Sequence, residues 1–324
     1  MKALALISGG LDSTLAAKVV QGQGVDVIGI KFVIPFYLRK KSLLPSIGIE
    51  IREVDIMQEF LGLLEDPRHG FGSEMNPCID CKVLMLSRAR ELMPELGASF
   101  IVTGEVLGQR PMSQHRQALE LIAKEAGLEG LVVRPLSARL LPETIPEKQG
   151  WLNRDTLLNF GGRGRKPQIA LAHSFGIKGY AQPAGGCLLT EPQFANRLKE
   201  LMAHKELSLE NTEILKIGRH FRLADRAKLI VGRNEQENTA LVSLARDNDY
   251  LFCPGDDIAG PTALARGCID EQLMMLCSRI VCRYCDRDAG ITEIILQVKK
   301  VSEGKQQCVS VSPLDEATLK HLRI

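Results

Sequence analysis

The sequence lacks any apolar run approaching the ~20 residues needed to cross a bilayer. Its opening apolar stretch stops at Ser8-Gly9-Gly10, short of the ~7–15-residue core of a signal peptide. No membrane association is expected, and a cytoplasmic location is. Charge of one sign is also missing: 41 basic against 39 acidic residues leaves +2. That excludes a globally basic nucleic-acid binder but not a local basic face. Aromatic residues are only 5%, and the single Trp151 is given no role. The histidines show no H-E-x-x-H or similar spacing, so no histidine metal site is expected. There is no internal repeat and no low-complexity segment. What remains is the balance of an ordinary globular protein, 45% hydrophobic and 25% charged over 324 residues. That length suggests about two domains. The nine cysteines, without a secretory signal, read as buried, catalytic or metal-binding rather than as a disulfide framework.

Short apolar strands at residues 3–7, 25–33, 49–56 and 100–102 alternate with helical patterns at 13–21 and 81–97. Strands alternating with helices predict an α/β domain with a parallel sheet covered on its faces. Asp12 or Ser13 is placed to cap the first helix. From 134 to 170, Pro135, Pro142, Pro146, Gly161, Gly162, Gly164 and Pro167 break regular structure. From about 212 the pattern turns to short strands with turn signals, then a helix at 269–282 and a strand at 291–298. This predicts a second, smaller α+β domain. The boundary is expected near 205–212, giving domains 1–210 and 211–324.

Residues 8–14, Ser-Gly-Gly-Leu-Asp-Ser-Thr, join the first strand to the first helix. Glycines allow close backbone approach to an anion, and a helix start offers free N–H groups and a positive dipole end. Ser8, Ser13 and Thr14 add hydroxyls. The lysine of ordinary P-loop NTPases is missing. The segment resembles the signature of the PP-loop ATP pyrophosphatases, Ser-Gly-Gly-x-Asp-Ser. The resemblance implies an adenine-nucleotide α-hydrolase-like fold. Ser8, Gly9, Gly10, Asp12, Ser13 and Thr14 would grip the pyrophosphate of ATP, and Asp12 would help hold Mg²⁺. It also implies adenine near the end of the second strand, at Lys31 and Phe32.

Pro77-Cys78-Ile79-Asp80-Cys81 opens a predicted helix, and Cys187 follows with 105 residues between, in Gly185-Gly186-Cys187. A C-x-x-C alone is ambiguous among redox, zinc and iron–sulfur chemistry. In this order the three cysteines resemble those of PP-loop enzymes that thiolate tRNA. Residues 103–114, Thr-Gly-Glu-Val-Leu-Gly-Gln-Arg-Pro-Met-Ser-Gln, are similar to a segment of the 4-thiouridine synthetases that closes over the nucleotide. Gly104, Glu105, Gln109 and Gln114 are its candidates here. Two sulfur routes stay open. Cys187 could carry a persulfide that Cys78 resolves. Alternatively Cys78, Cys81 and Cys187 could ligate three irons of a [4Fe–4S] cluster. Three cysteines rather than two favour the cluster. The resemblance makes Cys187, Cys78 and Asp12 the catalytic candidates. The familiar THUMP and rhodanese domains are not expected.

Arg163, Arg165 and Lys166 form a basic cluster suited to a tRNA backbone. Residues 213–233 carry Lys216, Arg219, Arg222, Lys228 and Arg233, and resemble an NFACT-type RNA-binding domain that covers about 212–300. Cys277, Cys282 and Cys285 lack a second knuckle and read as buried structural thiols. The reading is an ATP-dependent tRNA sulfurtransferase that adenylates a uridine carbonyl and replaces its oxygen with sulfur. Its partners would be tRNA and either sulfide or a sulfur-donor protein. The rivals are a PP-loop ligase acting on an adenylated carboxylate and a non-catalytic RNA-binding adaptor.

Overall fold

Each of the first apolar runs is too short for a helix and finds its place in one sheet. The computed structural model describes residues 1–37, 48–178, 187–255, 257–286, 291–304 and 306–324. Its chain divides into two compact units, Met1–Glu191 and Pro192–Ile324.

The first unit opens with β1 (Lys2–Leu6), α1 (Leu11–Gln21), β2 (Asp26–Val33) and β3 (Glu50–Asp55). It continues with α2 (Met57–Glu65), α3 (Cys78–Leu96), β4 (Phe100–Thr103), α4 (Arg116–Glu125) and β5 (Val132–Val133). Two further helices, α5 (Ile145–Lys148) and α6 (Lys166–Ser174), follow in the segment rich in Pro and Gly. The strands are parallel, in the order β3-β2-β1-β4-β5. Chain order reverses between β1 and β4, and in such sheets ligands bind at the carboxyl ends beside that reversal. One apolar layer packs Leu11, Leu15 and Val20 of α1 with Phe100 and Val102. The other packs Leu86, Ala89 and Met93 of α3 with Leu4, Ile28 and Ile101. The expected parallel sheet covered on both faces is what forms.

The second unit begins with α7 (Pro192–Ala203), α8 (Leu209–Ile214), β6 (Arg219–Ala224), β7 (Ala227–Val231) and α9 (Glu235–Ser243). Then come β8 (Tyr250–Pro254), β9 (Ala263–Gly267), α10 (Glu271–Arg283), β10 (Ile294–Lys300), β11 (Gln306–Val311) and α11 (Glu316–Leu322). Its sheet is antiparallel, in the order β11-β10-β8-β9-β7-β6. Helix α10 packs Cys277, Ile280 and Val281 onto Phe221, Phe252 and Leu296. Cys277 and Cys282 are fully buried and Cys285 nearly so, as the reading of structural thiols requires.

The units part at Glu191, earlier than the expected boundary near 205–212. Helix α7 is the reason. Its Glu200 pairs with Arg222 of β6 and Lys228 of β7, and its Arg197 donates to the Leu215 carbonyl at 3.0 Å. Those partners follow it in sequence, so the helix goes with the second sheet. Among the described residues, no helix is long and apolar enough to cross a membrane.

Candidate functional site

Helix α1 starts at Leu11 rather than at residue 13, and its N-cap is Gly10, with no capping side chain. Neither Asp12 nor Ser13 caps it, because both already lie within the first turn. The first-turn N–H groups thus keep no side-chain acceptor, as an anion site requires. Gly9 takes φ +78°, a conformation that favours glycine and lets the loop turn back on itself. The hydroxyls shape this loop. Ser13 Oγ and Thr14 Oγ1 donate to the Gly10 carbonyl at 2.9 and 3.1 Å. Ser8 Oγ accepts from the Gly10 N–H at 3.4 Å. Ser13 and Thr14 are therefore not the spare hydroxyl donors the sequence suggested.

The segment after β4 closes over α1. Gly104 sits so close to it that an added Cβ would lie 2.4 Å from the Ser13 nitrogen. Gln109 donates to Asp12 Oδ2 at 2.8 Å and so brackets the carboxylate. Asp12 Oδ1 is buried without a hydrogen-bond partner. Gln114 closes the loop through its backbone, accepting from Gly108 at 2.7 Å, and its buried side-chain oxygen has no partner.

Glu105, expected in the nucleotide wall, has its carboxylate engaged within the protein. It is buried between Lys82 of α3, at 2.6 Å, and Arg134, at 3.0 Å, and accepts from Thr103 Oγ1 at 3.1 Å. Burial alone would raise its pKa. The two cations outweigh that and hold it at about 2. Its work is to tie α3 to the β4 loop. Neither Lys82 nor Arg134 was singled out in the sequence, since each is defined only by this distant carboxylate.

Lys31 is likewise committed. It faces Glu53 across the β2–β3 register, 2.6 Å away. Phe32 packs against the α3 layer. Both side chains are only partly buried.

Cys78 and Cys81 stand three apart in the first turn of α3, which places them on one side of the helix. Cys187 pairs its backbone with Tyr37 in an antiparallel bridge, and the next residue donates to the Phe36 carbonyl at 3.1 Å. Gly185 and Gly186, expected to hold Cys187 in an open turn, lie outside the described residues. The three sulfurs feel one another. Burial, then the Cys187 and Cys78 charges, push Cys81 up to about 12. Burial chiefly, with Cys78 adding, pushes Cys187 up to about 11. Burial also raises Cys78, opposed by Arg110 and Lys82. All three are protonated thiols at neutral pH. Among the described residues, no three His, Cys, Asp or Glu side chains converge on a single metal ion. By donor chemistry, three cysteine thiols near enough to influence one another are the kind of set that an iron–sulfur cluster takes.

The basic residues separate into two kinds. Arg163 and Lys166 are exposed, whereas Arg165 turns inward to Asp12, 3.6 Å away. In the second unit the cations expected to meet RNA are already engaged. Arg222 pairs with Glu200 and Glu206, and Lys228, which is buried, with Glu200. Lys216 pairs with Glu213 and Arg233 with Glu237, both at 2.5 Å. Arg219 lies 4.6 Å over the Tyr284 ring and donates to the Gly232 carbonyl. A run of cations in sequence became a paired face because Glu200 and Glu206 come to Arg222 and Lys228 from an earlier segment, while Glu213 and Glu237 pair with near neighbours in sequence.

Residues 1–139 match the family model described as thiamine biosynthesis protein (ThiI), and residues 218–323 match that of the NFACT protein RNA binding domain. A probable tRNA sulfurtransferase of Thermococcus kodakarensis is 28% identical over 146 residues, 42% of this chain and 36% of that protein. A tRNA-specific 2-thiouridylase MnmA of Syntrophotalea carbinolica is 31% identical over 117 residues, 31% of this chain and 33% of its own. The chain thus spans about a third of the length of these curated relatives. A solved 4-thiouridine synthetase–RNA complex with bound ATP aligns at TM-score 0.37 and 21% identity, over 65% of this chain and 53% of that one. By these matches the chain joins a ThiI-family segment, residues 1–139, to an NFACT-type RNA-binding domain, residues 218–323.

Proposed function

We propose that this protein is an ATP-dependent tRNA uridine sulfurtransferase. One observation carries the reading. An uncapped helix start with an unmet Asp12 oxygen shares a unit with Cys78, Cys81 and Cys187, whose charges act on one another. The first feature suits activation by a nucleotide and the second suits sulfur delivery. The relatives named tRNA sulfurtransferase and 2-thiouridylase support the same pairing.

The Ser8–Thr14 loop would bind ATP through backbone N–H groups. The residues fit Mg²⁺ as well, since Asp12 Oδ1 is a buried carboxylate oxygen with no hydrogen bond. Asp12 would hold the ion, which would neutralise phosphate charge. A uracil carbonyl oxygen then attacks the α-phosphorus, and pyrophosphate leaves with the electron pair of the cleaved P–O bond. The adenylated oxygen has become a good leaving group. A sulfur nucleophile attacks the ring carbon, AMP departs with that oxygen, and a thiocarbonyl remains. Cys78, Cys81 and Cys187 handle the sulfur. They would hold a [4Fe–4S] cluster, which would supply sulfide to the activated base. With a persulfide on Cys187 instead, Cys78 would attack Cys187 Sγ, close a disulfide and free the sulfur on the base. A thiol reductant would then reset that pair. The NFACT-type segment would bind tRNA, and sulfide or a donor protein would restore the sulfur.

A mass-spectrometric census of tRNA nucleosides, with and without the gene, tests the reading. One thionucleoside should disappear and return with the wild-type gene but not with Cys187→Ala, whose ATP binding persists. Thiolation that survives Cys187→Ala removes the sulfur assignment. An unchanged census without a redundant enzyme favours a ligase acting on a carboxylate.

A further inference from the structure

Arg165 stands apart from the basic cluster that contains it. A bridge between Leu107 and Gly161, and a 2.8 Å bond from the Gly162 N–H to the Leu107 carbonyl, lay this segment along the loop after β4. Arg165 therefore arrives beside Asp12. Its Nη2 stops 3.6 Å from Oδ1, an ion pair too long for a hydrogen bond. Arg165 Nε is buried and has no partner. Three residues on, Gln168 is completely buried. Its amide approaches Gln109 Oε1 at 3.4 Å, while Gln109 holds Asp12 Oδ2, and Gln168 Oε1 has no partner.

Unmet atoms of both signs therefore sit at one loop. A buried carboxylate oxygen calls for a cation. A buried guanidinium N–H and uncapped helix N–H groups call for an anion. The ligand class that brings both together is a metal-chelated polyphosphate. A phosphodiester backbone would meet the anion sites but leave Asp12 Oδ1 facing more negative charge.

We propose that Arg165 binds the phosphates of the nucleotide, aligned by the Asp12–Gln109–Gln168 line, and is not a tRNA contact like its exposed neighbours Arg163 and Lys166. This rests on the reading of the Ser8–Thr14 loop as a nucleotide site. The guanidinium offers a fork of donors that matches non-bridging phosphate oxygens. Once a divalent cation satisfies Asp12, that fork is free to turn from the carboxylate to the phosphates.

The test is calorimetric binding of Mg²⁺ with α,β-methylene-ATP to the full chain, beside tRNA binding across a salt series. Arg165→Met should bind the analogue at least about tenfold more weakly, the loss expected for charge-assisted hydrogen bonds. Its tRNA affinity and salt slope should match wild type. Arg165→Lys keeps the charge but loses the fork, and should fall between the two. If Arg165→Met does not fold, Arg165→Lys decides, and wild-type analogue affinity there overturns the proposal. Unchanged analogue affinity in Arg165→Met overturns it too. A salt slope smaller by about one with analogue affinity unchanged makes Arg165 an RNA contact instead. A wild-type protein that fails to bind the analogue overturns this proposal and the functional reading together.

Discussion

Gly104 sets how closely the loop after β4 can approach the Ser8–Thr14 loop. A methyl group there would lie 2.4 Å from the Ser13 nitrogen, 2.5 Å from its Cα and 2.6 Å from the Asp12 carbonyl carbon. These are backbone atoms and cannot swing aside. Gly104→Ala must push the two loops apart, taking Gln109 off Asp12. The expected result is at least about a tenfold loss of ATP-analogue affinity by calorimetry, the equivalent of ~1.4 kcal/mol. Full affinity would mean that the loops separate at no cost. The next residue acts through charge. Glu105, held at about 2 by Lys82 and Arg134 against its own burial, lies below the ordinary value of 4.5. A depressed carboxylate stabilises the fold above its unfolded pKa, and that stability is lost as pH falls from about 4.5 toward 2. Glu105→Gln should lower stability at pH 7 by about 3 kcal/mol and flatten its fall through that acid window. Urea unfolding at pH 7, 4 and 2.5 checks both. An unchanged acid slope would mean that the two cations do not depend on this carboxylate.

Helix α3 shows what an element adds to its residues. Its first turn carries Cys78 and Cys81 on one side, and Lys82 anchors that turn to the β4 loop through Glu105. A persulfide on Cys187 resolved by Cys78 has no use for Cys81, whereas a cluster held by three thiols needs it. Cys81→Ala separates the two. With a cluster, anaerobic reconstitution gives about four iron and four sulfide per wild-type chain and little in the variant, and thiolation is lost with them. Thiolation retained in an iron-free Cys81→Ala would establish the persulfide route. Elements of this kind were readable from local pattern. Apolar runs bounded by glycine gave β1, β2 and β4, and the long helical pattern after Cys78 gave α3. The start of α1 was misplaced because Gly10 caps it without a side chain. The unit boundary was misplaced because α7 is bound by Arg222 and Lys228, which come later in the chain. The same limit hid Lys82, Arg134 and Gln168 from the candidate site. Their partners are distant in sequence, and no spacing announces a pairing made only by the folded sheet.

Over the whole chain, a net charge of +2 conceals a division between cations that are already matched and cations that are not. Glu200 alone engages both Arg222 and Lys228, and Glu206 adds a second carboxylate to Arg222. Breaking such partly buried pairs to reach RNA would forfeit the protein bonds for phosphate bonds of similar strength, with little net gain. Arg163 and Lys166 have no such cost, since both are exposed. Affinity for tRNA should therefore follow the unmatched cations rather than the density of Lys and Arg in the sequence. Arg222→Gln with Lys228→Gln should lower thermal stability while leaving the salt dependence of tRNA binding as in wild type. Arg163→Gln with Lys166→Gln should leave stability alone and reduce the slope of log affinity against log salt by about 1.4–1.8, the release of two counterions. Filter binding across a salt series reads both. A reduced slope in the first pair, with none in the second, would place the phosphate contacts on the β6–β7 hairpin. It would also require Glu200 to give up its partners when RNA binds.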